Sequence, residues 1–358
     1  MIRSVAAVLV MVPMRRALGT SAMGIPEAPL VLIDLHTDEG ITGHAYLFCY
    51  LESAGHAVVA LARDVSAVLT GTEVSPAAVR RELGARFKLL GASGLVSTVL
   101  AGVDVACWDA LAIAAGLPLA RMLGAPLRPT TAYNSNGLGL LEPRAAATEA
   151  QELVAEGFLA IKMRLGRPLG NDDLAAVRAV RAAIGPDVVL MSDYNQALSA
   201  NAARERCRQL DDEGLAWIEE PVRHDDYATS AELAALLRTP VQIGENFTGP
   251  RAMSAALANN ASDLVMPDVD RIGGVSGWLA AAALADAAGT EMSSHLYPEL
   301  SAHLLAATPT AHWIEYVDWA APILQQPLKV AEGRVLPPDR PGNGLVWDSD
   351  AVAHFRRG

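Results

Sequence analysis

A repeating pattern runs from Lys162 to Glu315 and constrains the fold more than any other feature of the chain. Apolar segments of strand length end in a charged or ionisable residue, and helix-like stretches rich in Ala and Leu separate them. These positions are Lys162 with Arg164, Asp193, Glu219, Glu245, Asp268, His295 and Glu315. From Asp193 onward they lie 26, 26, 23, 27 and 20 residues apart by subtraction of their numbers, which is the period of a βα unit. Polar groups at the C-terminal ends of buried parallel strands usually build a site.

The same period predicts a barrel of eight parallel strands. One further apolar segment, TTAYNSN from residue 130, precedes the pattern and brings the number of candidate strands to eight. Eight strands close a barrel, and a barrel of about 200–250 residues fits within this chain. We therefore assign the chain to the α/β class, with a TIM-like barrel over residues 126–320.

The segments on either side of the barrel break the period. Residues 1–125 begin with a strand, SVAAVLVMVPM, and continue through a segment at 18–29 whose Gly, Pro and Ser predict a loop. A hairpin that turns at Asp38–Gly40 follows, and three helical patterns come after it. Strands followed by helices indicate a separate α+β domain. Residues 321–358 are rich in Pro and Gly, and we expect them to return to this domain.

Charge and cysteine content limit the partners. The net charge of −12 argues against nucleic acid, because phosphate binding needs concentrated Lys and Arg. The N-terminal apolar run is short and leads into Arg15 and Arg16, which favours a strand over a signal peptide. The widely spaced Cys49, Cys107 and Cys207 fit reduced thiols. We expect a cytoplasmic protein with a small-molecule partner, and neither a nucleic-acid nor a membrane partner.

Three carboxylates end consecutive predicted strands: Asp193, Glu219 and Glu245. Carboxylates that converge on one point repel one another unless a cation lies between them. Hard oxygen ligands without Cys or His favour Mg²⁺ over zinc. A single acid in this position would suit a solvated loop equally well, but three in register predict a metal site.

Asp268 and His295 end the sixth and seventh predicted strands, so they would be neighbours on the rim. A carboxylate beside an imidazole holds one tautomer and raises the basicity of the other nitrogen, which makes a general base. A histidine satisfied by a backbone carbonyl is the structural alternative. Glu315 ends the eighth strand, where a bound carboxylate would push it toward its protonated form and let it donate to an enolate.

Lys162 and Arg164 lie two residues apart on one strand, so their side chains share a face. If that face is the barrel interior, two cations lie opposite the Asp268–His295 dyad, which packing alone does not explain. Glu220 should point away from Glu219 and be structural. Gly273–Gly274 fits a tight turn better than a phosphate cradle. His303 and His312 are interpreted as structural.

The segments SDYNQALS, WIEEP, GEN, MPDVDRIGGVSGW and SSHLYPELSAHLLAATPTAHWIE resemble the mandelate racemase family of the enolase superfamily. This resemblance covers nearly the whole chain. It implies an α+β capping domain on a (β/α)7β barrel, Mg²⁺ held by the three strand-end carboxylates, and a homo-oligomer. It also implies that His295 with Asp268 is the base, that Glu315 is acid-like and that Lys162 binds the substrate carboxylate.

Four further features of the family pattern concern the substrate. Asn195 and Ser135 match positions that look like substrate contacts, and Tyr50 is retained. Leu296 and Val317 match pocket positions of the family, and both are apolar. The segment at 18–29 adds Met23 and Ile25 to this apolar lining. The chain departs from the family at Arg164, which stands where the second, catalytic lysine is expected.

The shared chemistry implied by the family is removal of the proton α to a carboxylate, with electrostatic stabilisation of the enediolate. Arg164 is a poor base, because a guanidinium is effectively never deprotonated. This departure favours one-base dehydration of an acid sugar, whereas the apolar pocket positions favour racemisation of an aromatic or apolar 2-hydroxy acid. Overall closeness to the family places racemisation first and dehydration second. A barrel that binds a carboxylate without turnover is the third hypothesis.

Overall fold

The computed structural model of the chain describes residues 1–357. Its N-terminal domain begins with an antiparallel sheet of three strands in the order β1-β2-β3, and four helices follow. The strands are β1 Ile2–Gly19, β2 Gly24–Thr37 and β3 Thr42–Phe48, and the helices are α1 Glu52–Leu69, α2 Pro76–Arg86, α3 Leu95–Ala114 and α4 Leu119–Met122. Strands followed by helices without alternation form the predicted α+β unit, which we call the capping domain.

Strands β1 and β2 form a hairpin that extends into the segment at 18–29, so the prediction of a loop there is wrong. Only residues 20–23 separate the two strands, and Leu18 pairs with Ile25. The third strand pairs with β2 only from Leu30 onward. The prolines of the predicted loop therefore lie where β2 pairs only with β1. A proline has no N–H to donate, but the unpaired edge of β2 requires no ladder hydrogen bond. The composition of the segment is typical of a loop, but the unpaired edge of β2 accommodates its prolines.

The barrel alternates strands with helices. Its strands are β4 Thr130–Asn134, β5 Ala160–Arg164, β6 Val189–Asp193, β7 Ile218–Glu219, β8 Val241–Ile243, β9 Leu264–Val265 and β10 Ile314–Tyr316. Its helices are α5 Pro143–Ala155, α6 Gly170–Ile184, α7 Ala200–Leu210, α8 Tyr227–Leu236, α9 Pro250–Ala258, α10 Val269–Ile272, α11 Gly274–Ala288 and α12 Pro298–Ala306. Neighbouring strands pair in parallel from β4 to β9, and β10 pairs with β4 on the other side.

The seventh predicted strand, in the segment EMSSHL, is reduced to isolated bridges. Met292 bridges Val265 and Ala311, and His295 bridges Asp268. Side-chain hydroxyls replace part of the backbone ladder here, since Ser294 Oγ accepts the Glu315 N–H at 3.1 Å. With this segment the barrel has the (β/α)7β arrangement, and the predicted fold class is confirmed.

The C-terminal segment contacts both the barrel and the capping domain. It contains a 3-10 helix Ala321–Ile323, strands β11 Val330–Ala331 and β12 Arg334–Val335, and helix α13 Ser349–Phe355. Strand β12 pairs antiparallel with the start of β4. Asn343 Nδ2 donates to the carbonyl of His44 at 2.7 Å, and Trp347 Nε1 donates to Asp34 Oδ1 at 2.8 Å. The segment therefore ties the capping domain to the barrel.

Helix α3 docks the capping domain on α11. It is long and apolar enough to cross a membrane by length and composition, but most of it is buried as a core helix of the fold. Its Asp104 accepts hydrogen bonds from the backbone N–H (2.9 Å) and hydroxyl (2.6 Å) of Ser276. A Cβ at Gly274 would approach this carboxylate to 2.6 Å. The helix N-terminus that follows Gly273 is therefore occupied by Asp104, which excludes the phosphate-cradle interpretation.

We predict that His303 makes the fold sensitive to acid. The side chain is fully buried in α12, and its Nδ1 accepts the Ala120 N–H at 3.2 Å. Burial lowers its pKa from the ordinary 6.5 to about 4. Because the unfolded chain binds this proton first as pH falls, stability is lost from pH 6.5 down to the folded pKa. Between about pH 7 and about pH 4.5 this histidine alone should cost about 2 kcal/mol of unfolding free energy.

Urea unfolding of the wild type and His303→Asn at both pH values measures this loss. Asparagine can still accept the Ala120 N–H but does not titrate, so its packing defect should be the same at both pH values. The variant is expected to lose about 2 kcal/mol less than the wild type over this interval. Equal losses in the two proteins would contradict the assignment.

Candidate active site

The three predicted metal ligands converge at the C-terminal ends of β6, β7 and β8. Asp193 pairs in register with Glu219 on the neighbouring strand, and Glu245 follows β8 by two residues. One carboxylate oxygen from each lies within 4.8 Å of the others, and all three side chains are buried. Asn195 holds Asp193 in place, since its backbone N–H and its Nδ2 donate to the two carboxylate oxygens at 2.7 and 2.8 Å.

The electrostatics of this cluster fit a bound cation. Burial raises the pKa of Glu219 to about 8, although Lys162 opposes the shift, and Asp193, Glu315 and Glu245 add to it. Burial and the charge of Glu245 likewise raise the pKa of Asp193, against the opposing effect of Lys162. Buried carboxylates this close resist simultaneous ionisation, and a divalent ion removes that cost. The all-oxygen donor set therefore fits Mg²⁺.

Lys162 lies at the centre of the barrel mouth, on β5. Its Nζ is 2.7 Å from Glu219 Oε1, 2.8 Å from Glu315 Oε1 and 3.6 Å from Asp193 Oδ2. Burial alone would lower the pKa of Lys162, but the surrounding carboxylates raise it well above its ordinary value. The side chain is therefore a fixed cation beside the metal cluster.

The structure brings Asp268 and His295 together as predicted. His295 Nδ1 lies 2.6 Å from Asp268 Oδ2, while Nε2 faces the cluster 3.1 Å from Glu245 Oε2. Burial alone would lower the pKa of His295, but Glu245 and Glu315 raise it well above its ordinary value. The other oxygen of Asp268 accepts the backbone N–H of Asp270 at 2.7 Å in the first turn of α10. Asp268 therefore fixes the orientation of the imidazole, and Nε2 faces the cluster.

Arg164 faces the barrel interior, as the shared face with Lys162 requires, but its guanidinium is held by the β4 end. Its Nη1 donates to the carbonyls of Ser135 (2.9 Å) and Gly137 (3.2 Å), and its Nη2 donates to Ser135 Oγ (2.9 Å). The side chain is buried, with 3% of its surface exposed. Because a guanidinium is effectively always protonated and these three hydrogen bonds fix its position, the group supplies charge and geometry rather than a base.

Glu315 lies among three basic side chains, and its protonation beside a bound substrate carboxylate stays a prediction. Burial alone would raise its pKa, but Lys162, His295 and Arg164 outweigh burial and hold the pKa well below its usual range. Its oxygens accept hydrogen bonds from Ser135 Oγ at 2.6 Å and from the Leu296 N–H at 2.9 Å. The prediction took account of a bound carboxylate near Glu315 but not of the three basic side chains that surround Glu315.

A cavity of approximately 190 Å³ opens above these groups. Three of the five predicted substrate contacts line it, namely Tyr50, Asn195 and Leu296. Ser135 and Val317 are buried behind its wall, where Ser135 bridges Arg164 and Glu315. The hairpin of β1 and β2 closes the cavity from above, and its apolar wall consists of Leu18, Met23, Ile25, Phe48, Leu296 and Trp319.

Sequence analysis missed a polar group beside Glu245. Asn246 Nδ2 donates to both oxygens of Glu220 and to Glu245 Oε1 at 2.9–3.0 Å. Strand alternation predicted that Glu220 points away, but its backbone is left-handed (φ 37) and turns the side chain back toward the cluster. Arg271, whose guanidinium contacts Asn246 and donates to Tyr50 OH at 3.2 Å, also lines the cavity. The only sequence indication was its place in the resembling segment MPDVDRIGG.

Two family models match the chain. Residues 2–124 match the N-terminal domain of mandelate racemase/muconate lactonizing enzyme. Residues 145–351 match the model described as enolase C-terminal domain-like. Together they cover most of both domains, including the three carboxylates of the metal cluster, Lys162 and His295.

Curated relatives include sugar-acid enzymes. L-talarate/galactarate dehydratase of Salmonella typhimurium is 31% identical over 91% of this chain and 82% of its own length. The 3,6-anhydro-alpha-L-galactonate cycloisomerase of Streptomyces coelicolor is 29% identical over the full length of both proteins.

Solved structures also match over nearly the whole chain. An enolase of the alphaproteobacterium bal199 with bound Mg is 46% identical, with a TM-score of 0.97 over 99% of both chains. An enolase of Bradyrhizobium in complex with magnesium and mandelic acid is 42% identical, with a TM-score of 0.94 over 100% of this chain and 98% of that one.

We predict that Mg²⁺ binding releases protons and strengthens as pH rises. The Glu219 carboxyl, with a pKa of about 8, must lose its proton to become a ligand. Affinity should therefore rise from about pH 7 to about pH 8.5, and calorimetry in buffers of different ionisation enthalpy should detect proton release. Glu219→Gln should weaken binding by about tenfold or more and reduce the release.

Glu299→Gln is the matched control for this prediction, because Glu299 is a buried carboxyl outside the metal cluster. It should bind Mg²⁺ like the wild type. A wild-type affinity that does not change over this pH interval would contradict the assignment of Glu219 as a proton-competing ligand.

Proposed function

The chain belongs to the mandelate racemase/muconate lactonizing enzyme family of the enolase superfamily, whose members are Mg²⁺-dependent enzymes, and from this we propose that it is an acid-sugar dehydratase. The proposed substrate is a small carboxylic acid with hydroxyls on C2 and C3. The enzyme removes the C2 proton with a single base and expels the C3 hydroxyl as water. The resulting enol becomes a 2-keto-3-deoxy acid.

The environment of Arg164 carries this proposal. A racemase needs a base on each face of the substrate carbon. The position where the family pattern expects the second base holds a guanidinium that donates to Ser135 and Gly137. A group with a pKa above ~12 in such a site does not accept a proton at neutral pH. The chemistry that remains is one-sided, with His295 as the base.

The proposed reaction uses the remaining residues in defined roles. A bound Mg²⁺, held by Asp193, Glu219 and Glu245, would polarise the substrate carboxylate and stabilise negative charge on it. Lys162 contributes a second positive charge to the carboxylate. His295 Nε2 takes the C2 proton, and the electrons of that C–H bond enter the enediolate. When the C3–O bond breaks, the imidazolium returns this proton to the departing hydroxyl, which leaves as water.

The polar part of the cavity supports a hydroxylated substrate. Thr20, Tyr50, Asn195, Gln196, Asn246 and Arg271 line it. Asn195 Oδ1 is buried and has no hydrogen-bond partner within residues 1–357, so a substrate hydroxyl could satisfy it. Among the relatives described above, the Salmonella dehydratase acts on sugar acids by its name.

Racemisation of an aromatic 2-hydroxy acid is the second candidate. The apolar wall formed by Phe48, Leu296, Trp319 and the hairpin tip favours it, as does the mandelic acid bound to the Bradyrhizobium enolase. Such an acid has no hydroxyl on C3, so it can exchange its C2 proton but cannot lose water. Carboxylate binding without turnover is the third candidate, and it predicts no exchange at all.

A panel of 2-hydroxy and 2,3-dihydroxy acids in D₂O with Mg²⁺ tests the proposed function. We expect a 2-keto-3-deoxy product, detected with semicarbazide, from at least one dihydroxy acid. His295→Asn should lower this activity by a factor of at least about 10³, because the variant has no base. His56→Asn, on the exposed surface of α1, is the control and should retain full activity. Product formation by His295→Asn would exclude the assigned base.

Arg164→Lys tests whether the arginine makes the reaction one-sided. With a 2-hydroxy acid that has no C3 hydroxyl, the wild type should exchange the C2 proton with retention of configuration. A lysine amine can accept a proton when its pKa is lowered by neighbouring cations, so the variant should gain measurable inversion, followed by polarimetry. Arg164→Met, which removes the charge without adding a base, should not. Rapid inversion by the wild type would instead support the racemase.

A further inference from the structure

The turn that follows His295 has an unusual backbone. Leu296 and Tyr297 both lie in the left-handed region, with φ of 50 and 49. This region disfavours residues with a Cβ, and two bulky ones in succession persist only when surrounding contacts determine them. The Leu296 N–H is held by Glu315 Oε2 at 2.9 Å. The contacts of Tyr297 therefore decide how the second half of this turn is held.

The Tyr297 hydroxyl joins the barrel to the capping domain. It accepts the backbone N–H of Phe48, at the end of β3, at 2.9 Å. It also forms a hydrogen bond with Asp270 Oδ2 in the first turn of α10. All three residues are buried, with exposed fractions of 4–5%. One hydroxyl thus links three separate elements.

Asp270 extends this link to the base. Its backbone N–H donates to Asp268 Oδ1 at 2.7 Å, and Asp268 Oδ2 lies 2.6 Å from His295 Nδ1. The chain of contacts runs from Phe48 through Tyr297, Asp270 and Asp268 to the imidazole. It returns to Tyr297 through the two peptide bonds that separate it from His295. Asp268, through Asp270, and His295, through the backbone, are therefore both connected to Tyr297.

We propose that Tyr297 is a positioning residue for His295, and that its hydroxyl makes the orientation of the base depend on docking of the capping domain. The proposal rests on the proposed function in that it takes His295 as the base. Tyr297 does not line the substrate cavity, so its contribution is to orientation and not to substrate binding. Proton transfer is sensitive to small displacements of the base, because the reacting atoms must be held in a near-attack geometry.

Tyr46 supplies a matched control. Like Tyr297 it is a buried tyrosine whose hydroxyl donates to a buried carboxylate that joins β3 to the barrel, here Glu299 Oε2 at 2.7 Å. The two rings contact each other, with centroids 5.1 Å apart. Glu299 makes no contact with Asp268 or His295 among the hydrogen bonds and ion pairs of residues 1–357. Loss of the Tyr46 hydroxyl removes one buried hydrogen bond and loss of the Tyr297 hydroxyl removes two, but only the Tyr297 hydroxyl is connected to the base.

The experiment compares Tyr297→Phe with Tyr46→Phe in the Mg²⁺-loaded full chain. The midpoint of thermal unfolding should fall in both variants, and further in Tyr297→Phe, which loses two hydrogen bonds rather than one. The kcat for C2-proton exchange should fall by about tenfold or more in Tyr297→Phe, with KM and Mg²⁺ affinity changed less than about twofold. Tyr46→Phe should keep kcat within about twofold of the wild type. Asp270→Asn keeps the backbone N–H but changes the partner of the Tyr297 hydroxyl, so its kcat should fall as in Tyr297→Phe. If Tyr297→Phe does not fold, Asp270→Asn takes its place in the comparison.

Equal kcat values for Tyr297→Phe and Tyr46→Phe would overturn the proposal, as would a decrease confined to KM. These outcomes are distinguishable from failure of the proposed function. If wild type exchanges no C2 proton with any acid of the panel, His295 is not a base and both proposals fail. If the wild type is active and the two tyrosine variants behave alike, only the positioning role fails.

Discussion

The site depends on a balance of buried charge around Lys162. The cations Lys162 and Arg164 and the imidazole of His295 meet the carboxylates of Asp193, Glu219, Glu245, Asp268 and Glu315 in a space where water is largely excluded. Burying one unpaired ion costs several kcal/mol even after relaxation, by order of magnitude. The fold can hold these groups because Lys162 and His295 lie beside carboxylates and Arg164 donates to the carbonyls and the hydroxyl that follow β4. The excess of carboxylates over cations is what a divalent ion would balance.

Barrel geometry explains how a chain can assemble such a cluster. Parallel strands present their C-terminal ends on one rim, so residues about 25 positions apart become neighbours. The register of β5, β6 and β7 places Arg164, Asp193 and Glu219 at the same level. The capping domain then closes the rim with the hairpin of β1 and β2. The low dielectric that makes the charges costly to bury also strengthens their effect on a bound carboxylate.

The sequence predicted those parts of the structure that depend on periodicity. The strand ends, the metal cluster and the Asp268–His295 contact all follow from the spacing of ionisable residues on parallel strands. Features that depend on local backbone were missed. The hairpin at 18–29 was predicted as a loop from its Gly and Pro content, and Glu220 was assigned to the wrong side because a left-handed residue interrupts strand alternation. The low pKa of Glu315 could not be predicted from spacing, because it depends on Lys162, His295 and Arg164 from distant segments.

Under the proposed function, the single residue Arg164 would change the reaction without changing the fold. Its charge is compatible with the cluster, since the carboxylates of Asp193 and Glu315 both lie near enough for it to lower their pKa. Its hydrogen bonds to the β4 end satisfy the geometry of that corner. What the guanidinium cannot do is accept a proton. Under the proposed function, the barrel keeps the groups that generate an enediolate but offers only one base. The proton therefore has to return from the side that removed it. A substrate with a leaving group on that side turns this restriction into an elimination.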